Sequence, residues 1–349
     1  MPDRIFVVHG MGHFEDGWQK PVEDFLRGFC DQYAALGSLP FDKRFNVVPV
    51  VYDDVFREIL ATWQRQGEEL LQVGQRFGTD LVDQLVGWTQ DAPGVDKNFF
   101  WSHAFDVILY RMFPTVREAV KVHVANAMFK ELQDLASAEN WSVIGHSLGT
   151  MVVHDTLHAW HTQAFGTGGT LGQHQRPLMV LMLANVSRIL QTEPGVLSPE
   201  SAVQPGKVCD YYFSAHHPLD PFTLLRPFKP ELWPDRQSQE SGAYRLIEVR
   251  HIQQLDIHDL LHYLRHPDVV ISLLRTLRYS SFVTKEKERL YRQSFKPYGD
   301  LADQEVIEIR RKLEDVGISD GVLGEEWEAI VRIWQRYRQM QGPLGGGGQ

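Results

Sequence analysis

Trp141-Ser142-Val143-Ile144-Gly145-His146-Ser147-Leu148-Gly149-Thr150 carries a G-x-S-x-G motif between a short apolar run and a helix-like one. Trp141 to Ile144 have the character of a buried strand, and Met151, Val152 and Leu157 give the following stretch an apolar face. A serine on a tight strand-to-helix turn has its side chain held clear of the backbone. Gly145 and Gly149 remove the side chains that would collide there. The helix that follows aims its free N–H groups and its dipole at the place where an oxyanion would form. Ser147 is therefore the candidate nucleophile, and a plain glycine-rich turn is the alternative that the flanking pattern disfavours.

Outward from this motif, short apolar runs recur at Ile5–Val8, Phe45–Tyr52, Leu178–Ala184, Tyr211–Ala215 and Tyr244–Val249, separated by helical patterns. Such alternation predicts an α/β fold: a mainly parallel central sheet flanked by helices. Between the second run and Trp141 the chain reads as helix throughout. Phe56, Ile59, Leu60 and Trp63 fall at i, i+3, i+4 and i+7, as do Phe105, Ile108, Leu109 and Met112, and again Ala125, Met128, Phe129 and Leu132. One helix suffices for a crossover, so positions 53–114 read as a helical insertion, loosened at Gly67, Gly74, Gly78 and Pro93-Gly94. Its Trp63, Trp88, Phe99, Phe100 and Trp101 suit a cap over an acyl pocket, or ordinary helix-to-helix core. A single α/β domain over residues 1–283 is expected. Residues 284–349 are expected to form a helical extension that docks on the domain or mediates self-association as a homo-oligomer, ending in a flexible Gly345–Gly348 run.

Composition narrows the function classes. The 349 residues carry a formal charge of −10 and no block of Lys and Arg, which argues against nucleic acid as a partner. Two cysteines, Cys30 and Cys209, exclude a disulfide framework and a four-cysteine zinc site. Met1 to Ile5 enters a strand pattern at once, without the segments of a secretory leader, and the run Leu178–Ala184 is far shorter than the ~20 apolar residues of a transmembrane helix. A cytoplasmic protein with no transmembrane segment is the expectation.

A serine nucleophile needs a base, an orienter for that base and donors for the oxyanion. Val7-Val8-His9-Gly10-Met11-Gly12 turns sharply after the first run, and the N–H of Met11 paired with that of Leu148 would form a two-donor oxyanion hole. The acid belongs in a loop beyond a later strand. Asp210 lies before or inside the Tyr211 strand, whereas Asp220 lies in the proline-bracketed loop after it, at the end where α/β sheets place their sites. Asp220 is preferred, against a turn or N-cap role before Phe222. For the base, His251, His258 and His262 are candidates. His258, where a loop gives way to a helix, leads, followed by His262 and then His251.

With G-H-S-L-G, H-G, Asp220 and His258 in that setting, residues 5 to 280 resemble the α/β-hydrolases, particularly the lipase and esterase branch. The resemblance implies Ser147 as nucleophile, Leu148 and Met11 as oxyanion donors, Asp220 as acid, and His258 as base ahead of an H-x-x-x-x-Y-L stretch ending at Tyr263-Leu264. It further implies an esterase or lipase that forms an acyl-serine on a small-molecule or lipid ester and needs no cofactor or metal. The chain departs from the family in starting directly at the strand before His9-Gly10 and in its large insertion. Two rivals stand beside this reading. His258-Asp259-Leu260-Leu261-His262 has a two-imidazole metal spacing, although His9 and His13, and His154 and His158, share it among fifteen histidines. A hydrolase-like fold can also serve as a non-catalytic binding or scaffold module.

Overall fold

The structure is a computed structural model that describes residues 2–10, 14, 16–35, 37–65, 105–133, 140–162, 176–190, 202–218, 220–224, 228, 233, 242–251, 257–278 and 282–296. Its centre is a six-stranded, wholly parallel sheet of β1 (Asp3–Val8), β2 (Phe45–Val50), β3 (Trp141–His146), β4 (Met179–Leu183), β5 (Tyr211–His216) and β6 (Tyr244–Glu248). The strand order is β2-β1-β3-β4-β5-β6. The molecule is thus of the α/β class. The six strands coincide with the six apolar runs.

Burial explains why those runs are continuous in the centre and mixed at the edges. Every residue of β3 and of β4 is buried, as a strand covered on both faces requires. The edge strands β2 and β6 alternate or are largely open instead. Successive side chains divide between two cores with the period of two that a pleated strand imposes. Phe6, Val8, Trp141, Val143, Val180, Met182 and Tyr212 point to one core, and Ile5, Val7, Ile144, Leu181, Leu183, Phe213 and Ala215 to the other.

The first core is covered by α2 (Asp53–Arg65), α3 (Phe105–Met112), α4 (Pro114–Leu132) and α5 (Leu148–His161). Both α2 and α3 pack on α4, which packs on α5. Asp155 of α5 binds this layer together, accepting the Tyr110 hydroxyl (2.6 Å) and two N–H groups of Arg117 (2.6 and 2.8 Å). In α4, Ala125, Met128 and Leu132 are buried as the periodicity predicts, whereas Phe129 is 37 % exposed and stands at the margin of the layer. The ends of the 53–114 insertion therefore belong to the sheet's helical cover. Positions 66–104, with Trp88, Phe99, Phe100 and Trp101, lie outside the described residues, as does the Trp63 side chain. Two single turns, α6 (Ser187–Leu190) and α7 (Pro221–Leu224), follow β4 and β5.

The second core is covered by α1 (Lys20–Tyr33), α8 (Leu260–Leu264), α9 (Pro267–Arg278) and α10 (Lys285–Ser294). The charged helix expected after residue 283 is α10, capped by Thr284. It docks on the domain through Tyr291, whose ring meets Phe29 and Tyr33 edge-on and whose hydroxyl donates to the Arg265 carbonyl. The rest of the C-terminal extension lies outside the described residues. No helix among the described residues is long and apolar enough to cross a membrane.

Candidate active site

The strand order sets where a site can form. β1 lies between β2 and β3, so the chain turns one way after β1 and the other way after β3. The connections diverge and leave a crevice beyond the carboxyl ends of these two strands. His9-Gly10 follows β1 and Ser147 follows β3. Asp220 and His258 lie beyond the carboxyl ends of β5 and β6.

Ser147 has φ 53° and ψ −125°, a backbone conformation that costs a non-glycine residue roughly 1–3 kcal/mol and needs surrounding structure to hold it. That structure is present. The Ser147 N–H donates to the Leu183 carbonyl of β4 (3.1 Å), and its carbonyl accepts the N–H (2.9 Å) and hydroxyl (2.7 Å) of Thr150. Gly149 permits the close approach of α5 to β1, since a Cβ there would lie 2.3 Å from the His9 carbonyl oxygen. Gly10 does the same for the facing turn, where a Cβ would lie 2.8 Å from the Ser147 Cβ.

From the serine a line of hydrogen bonds runs inward. Ser147 Oγ is 2.8 Å from His258 Nε2, and His258 Nδ1 is 2.8 Å from Asp220 Oδ2. A carboxylate can only accept, so Nδ1 carries the proton and Nε2 presents its lone pair to the serine hydroxyl. Asp220 is fully buried. Burial pushes its pKa up, but the adjacent His258, its hydrogen bond, the Tyr263 hydroxyl and the Phe222 N–H outweigh that and hold it below the usual carboxylate value. Its two oxygens have different partners: Oδ1 accepts the Phe222 N–H at the start of α7 (3.0 Å), while Oδ2 faces His258 Nδ1. The Phe222 ring lies 4.4 Å from that of His258 and covers it.

The rival residues stand elsewhere. Asp210 precedes β5 and pairs with Arg176. His251 is exposed just after β6 and stacks on His266. His262 is buried in α8 with no hydrogen-bond partner for either ring nitrogen among the described residues, and burial pushes its pKa down to about 4. Both ring nitrogens of His258 are engaged by Ser147 and Asp220, and the described residues contain no group of three or more His, Cys, Asp or Glu arranged to hold a metal.

Leu148 opens α5, where the first N–H groups of a helix have no intrahelical acceptor. Met11 lies outside the described residues. The turn that leads to it is closely tied. His9 Nε2 accepts the Tyr52 N–H (3.2 Å), which assigns the proton to Nδ1, and Nδ1–H donates to the Gly10 carbonyl (2.7 Å). The Tyr52 hydroxyl reaches the carbonyls of both His9 and Gly10 (2.9 and 3.0 Å). Burial holds the His9 pKa down at about 4, so this link stays neutral.

Four supporting residues carry no signal of their role in the sequence. They are Thr150 behind Ser147, Tyr52 behind the Gly10 turn, Tyr263 on Asp220, and His146, whose Nε2 donates to the His258 carbonyl (2.6 Å). His146 belongs to the G-H-S-L-G motif and Tyr263 to the H-x-x-x-x-Y-L stretch, yet what they touch depends on strands and loops more than a hundred or some forty residues away. No protein-family model, curated protein or solved structure matches the chain.

Proposed function

We propose that the protein is a serine hydrolase of α/β-hydrolase type, with Ser147 as nucleophile, His258 as general base and Asp220 as the acid that orients it. The observation that carries this is the continuous line Ser147 Oγ to His258 Nε2 to Asp220 Oδ2, with 2.8 Å at each step. In the reaction His258 takes the proton of Ser147 as Oγ attacks an acyl carbonyl. Asp220 keeps Nδ1 protonated and stabilises the imidazolium. The N–H of Leu148, joined by that of Met11, receives the developing oxyanion. His258 then returns the proton to the leaving group, and water, activated by the same imidazole, releases the acid from the acyl-serine.

A carboxylic ester with an apolar acyl group is the substrate class, a reading supported by the G-H-S-L-G resemblance and by the aromatic residues of positions 53–114. The test is turnover of p-nitrophenyl esters of increasing chain length by the wild type and Ser147→Ala. Hydrolysis that falls by about a million-fold in the variant agrees with the proposal. Hydrolysis that persists in Ser147→Ala overturns it.

A further inference from the structure

Asp220 is gripped by one short segment of chain. Helix α8 opens at Asp259, whose Oδ1 accepts the N–H groups of Leu261 (2.8 Å) and His262 (3.2 Å), so its single turn is fixed at its entry. His258 lies immediately before this cap and Tyr263 lies within the turn. Their side chains converge on the same oxygen: Asp220 Oδ2 is 2.8 Å from His258 Nδ1 and 2.5 Å from Tyr263 Oη. Tyr263 is fully buried, and its hydroxyl oxygen accepts the His217 N–H (3.1 Å), which directs the phenol proton at the carboxylate. Burial first, and then the facing carboxylate, keep the phenol protonated well above its ordinary range.

We propose that Tyr263 is a positioning residue of the triad, which fixes the plane of the Asp220 carboxylate and withdraws part of its charge, so setting how strongly Asp220 stabilises protonated His258. This rests on Ser147, His258 and Asp220 acting as the catalytic triad. A hydrogen bond to the charged form of a carboxylate competes with the imidazolium for the same electron density. Removing the phenol donor leaves a more concentrated charge opposite Nδ1, and His258 then holds its proton to higher pH. Among the described residues, the other titratable groups facing this pair are His146 from the end of β3, His217 after β5, and Asp259 and His262 from the α8 segment. Tyr263→Phe also removes the acceptor of the His217 N–H, whereas 3,5-difluorotyrosine keeps that bond and leaves all of these groups in place.

The experiment titrates His258 by NMR, with its imidazole signal assigned by comparison with His258→Gln, in the wild type, in Tyr263→Phe, and in a protein carrying 3,5-difluorotyrosine in place of Tyr263. Fluorophosphonate labelling of Ser147 is followed across pH in parallel. The His258 midpoint rises by about half a unit to one unit in Tyr263→Phe and falls in the fluorinated protein, whose more acidic phenol donates more strongly. The acid limb of labelling moves with it. A role in packing alone would lower thermal stability and leave both midpoints at the wild-type value, and that result overturns the proposal. Where Tyr263→Phe does not fold, the fluorinated protein decides by the same criterion. Failure of the triad reads differently: the wild type is then not labelled at Ser147, while the NMR midpoints still report on Tyr263.

Discussion

Ser147 and Ala184 leave adjacent strands, β3 and β4, and both turn out of the sheet with positive φ, 53° and 48°. Each is anchored by donating its N–H to the next strand, Ser147 to Leu183 and Ala184 to Ala215. Up to that point the two turns are the same device. Their polar groups then part ways. Beyond Ala184, Asn185 closes a sealed network, donating to the Tyr212 and Ser214 hydroxyls and accepting both the N–H and the hydroxyl of Ser187. At Ser147 the hydroxyl is handed to His258 across the crevice. A strained turn is thus not in itself a site. The difference lies in whether its polar group ends in a structural network or on an imidazole whose other nitrogen is held by a buried carboxylate.

The most damaging way to break the comparison is to make the two turns alike. Ser147→Ala removes the hydroxyl and leaves alanine, the residue type that already holds a positive φ at position 184. Ester hydrolysis should fall about a million-fold while the thermal midpoint stays near that of the wild type. Asp220→Asn comes next. An amide at Oδ2 can donate to the imidazole and favours the wrong tautomer, so kcat should fall about ten-thousand-fold with the fold intact, as measured by steady-state kinetics and circular dichroism.

Acid breaks both turns together. His9, His146, His262 and His266 are held down at about 4, and His154 and His217 at about 3, in each case chiefly by burial. Unfolded histidine takes its proton near pH 6.5, so the unfolded chain gains protons first as pH falls. Stability is complete above pH 6.5 and declines below it toward pH 4, each histidine adding up to about 1.4 kcal/mol per pH unit to the slope. Urea midpoints should be flat from pH 8 to 7 and drop steeply between 6.5 and 5. A flat profile through pH 5 would contradict the buried neutral state of these rings.

The smallest effect separates the two turns. Asn185→Ala opens the sealed network and should cost about 1–3 kcal/mol of stability by denaturant unfolding, with kcat/KM changed less than about threefold. A loss of turnover far beyond the loss of stability would place Asn185 in the chemistry instead.

Much of this architecture is legible in the sequence because burial on both faces writes a central strand as a continuous apolar run. Ile5 to Val8 and Leu178 to Ala184 are such runs, and the strands stand there. The residues of the hydrogen-bonded line are legible for a related reason. In a parallel sheet every carboxyl end lies at one edge, so residues that follow β3, β5 and β6 emerge on the same side, where loops can bring them together whatever lies between them in sequence. The supporting contacts around them are not legible. Whether Tyr263 meets Asp220, or His146 meets the carbonyl of His258, depends on where a loop sits within a fraction of a residue, and no periodicity records that. The exposure of Phe129 is a milder case, since helical spacing gives the face of α4 but not the width of the surface that covers it.

The most direct measurement of the central claim is intact-mass and peptide mapping of the protein after exposure to a fluorophosphonate, with Ser147→Ala and His258→Ala in parallel. A single adduct on Ser147, absent from Ser147→Ala and strongly slowed in His258→Ala, is the predicted result. No adduct, or an adduct that survives Ser147→Ala, would contradict the assignment of Ser147 as the nucleophile.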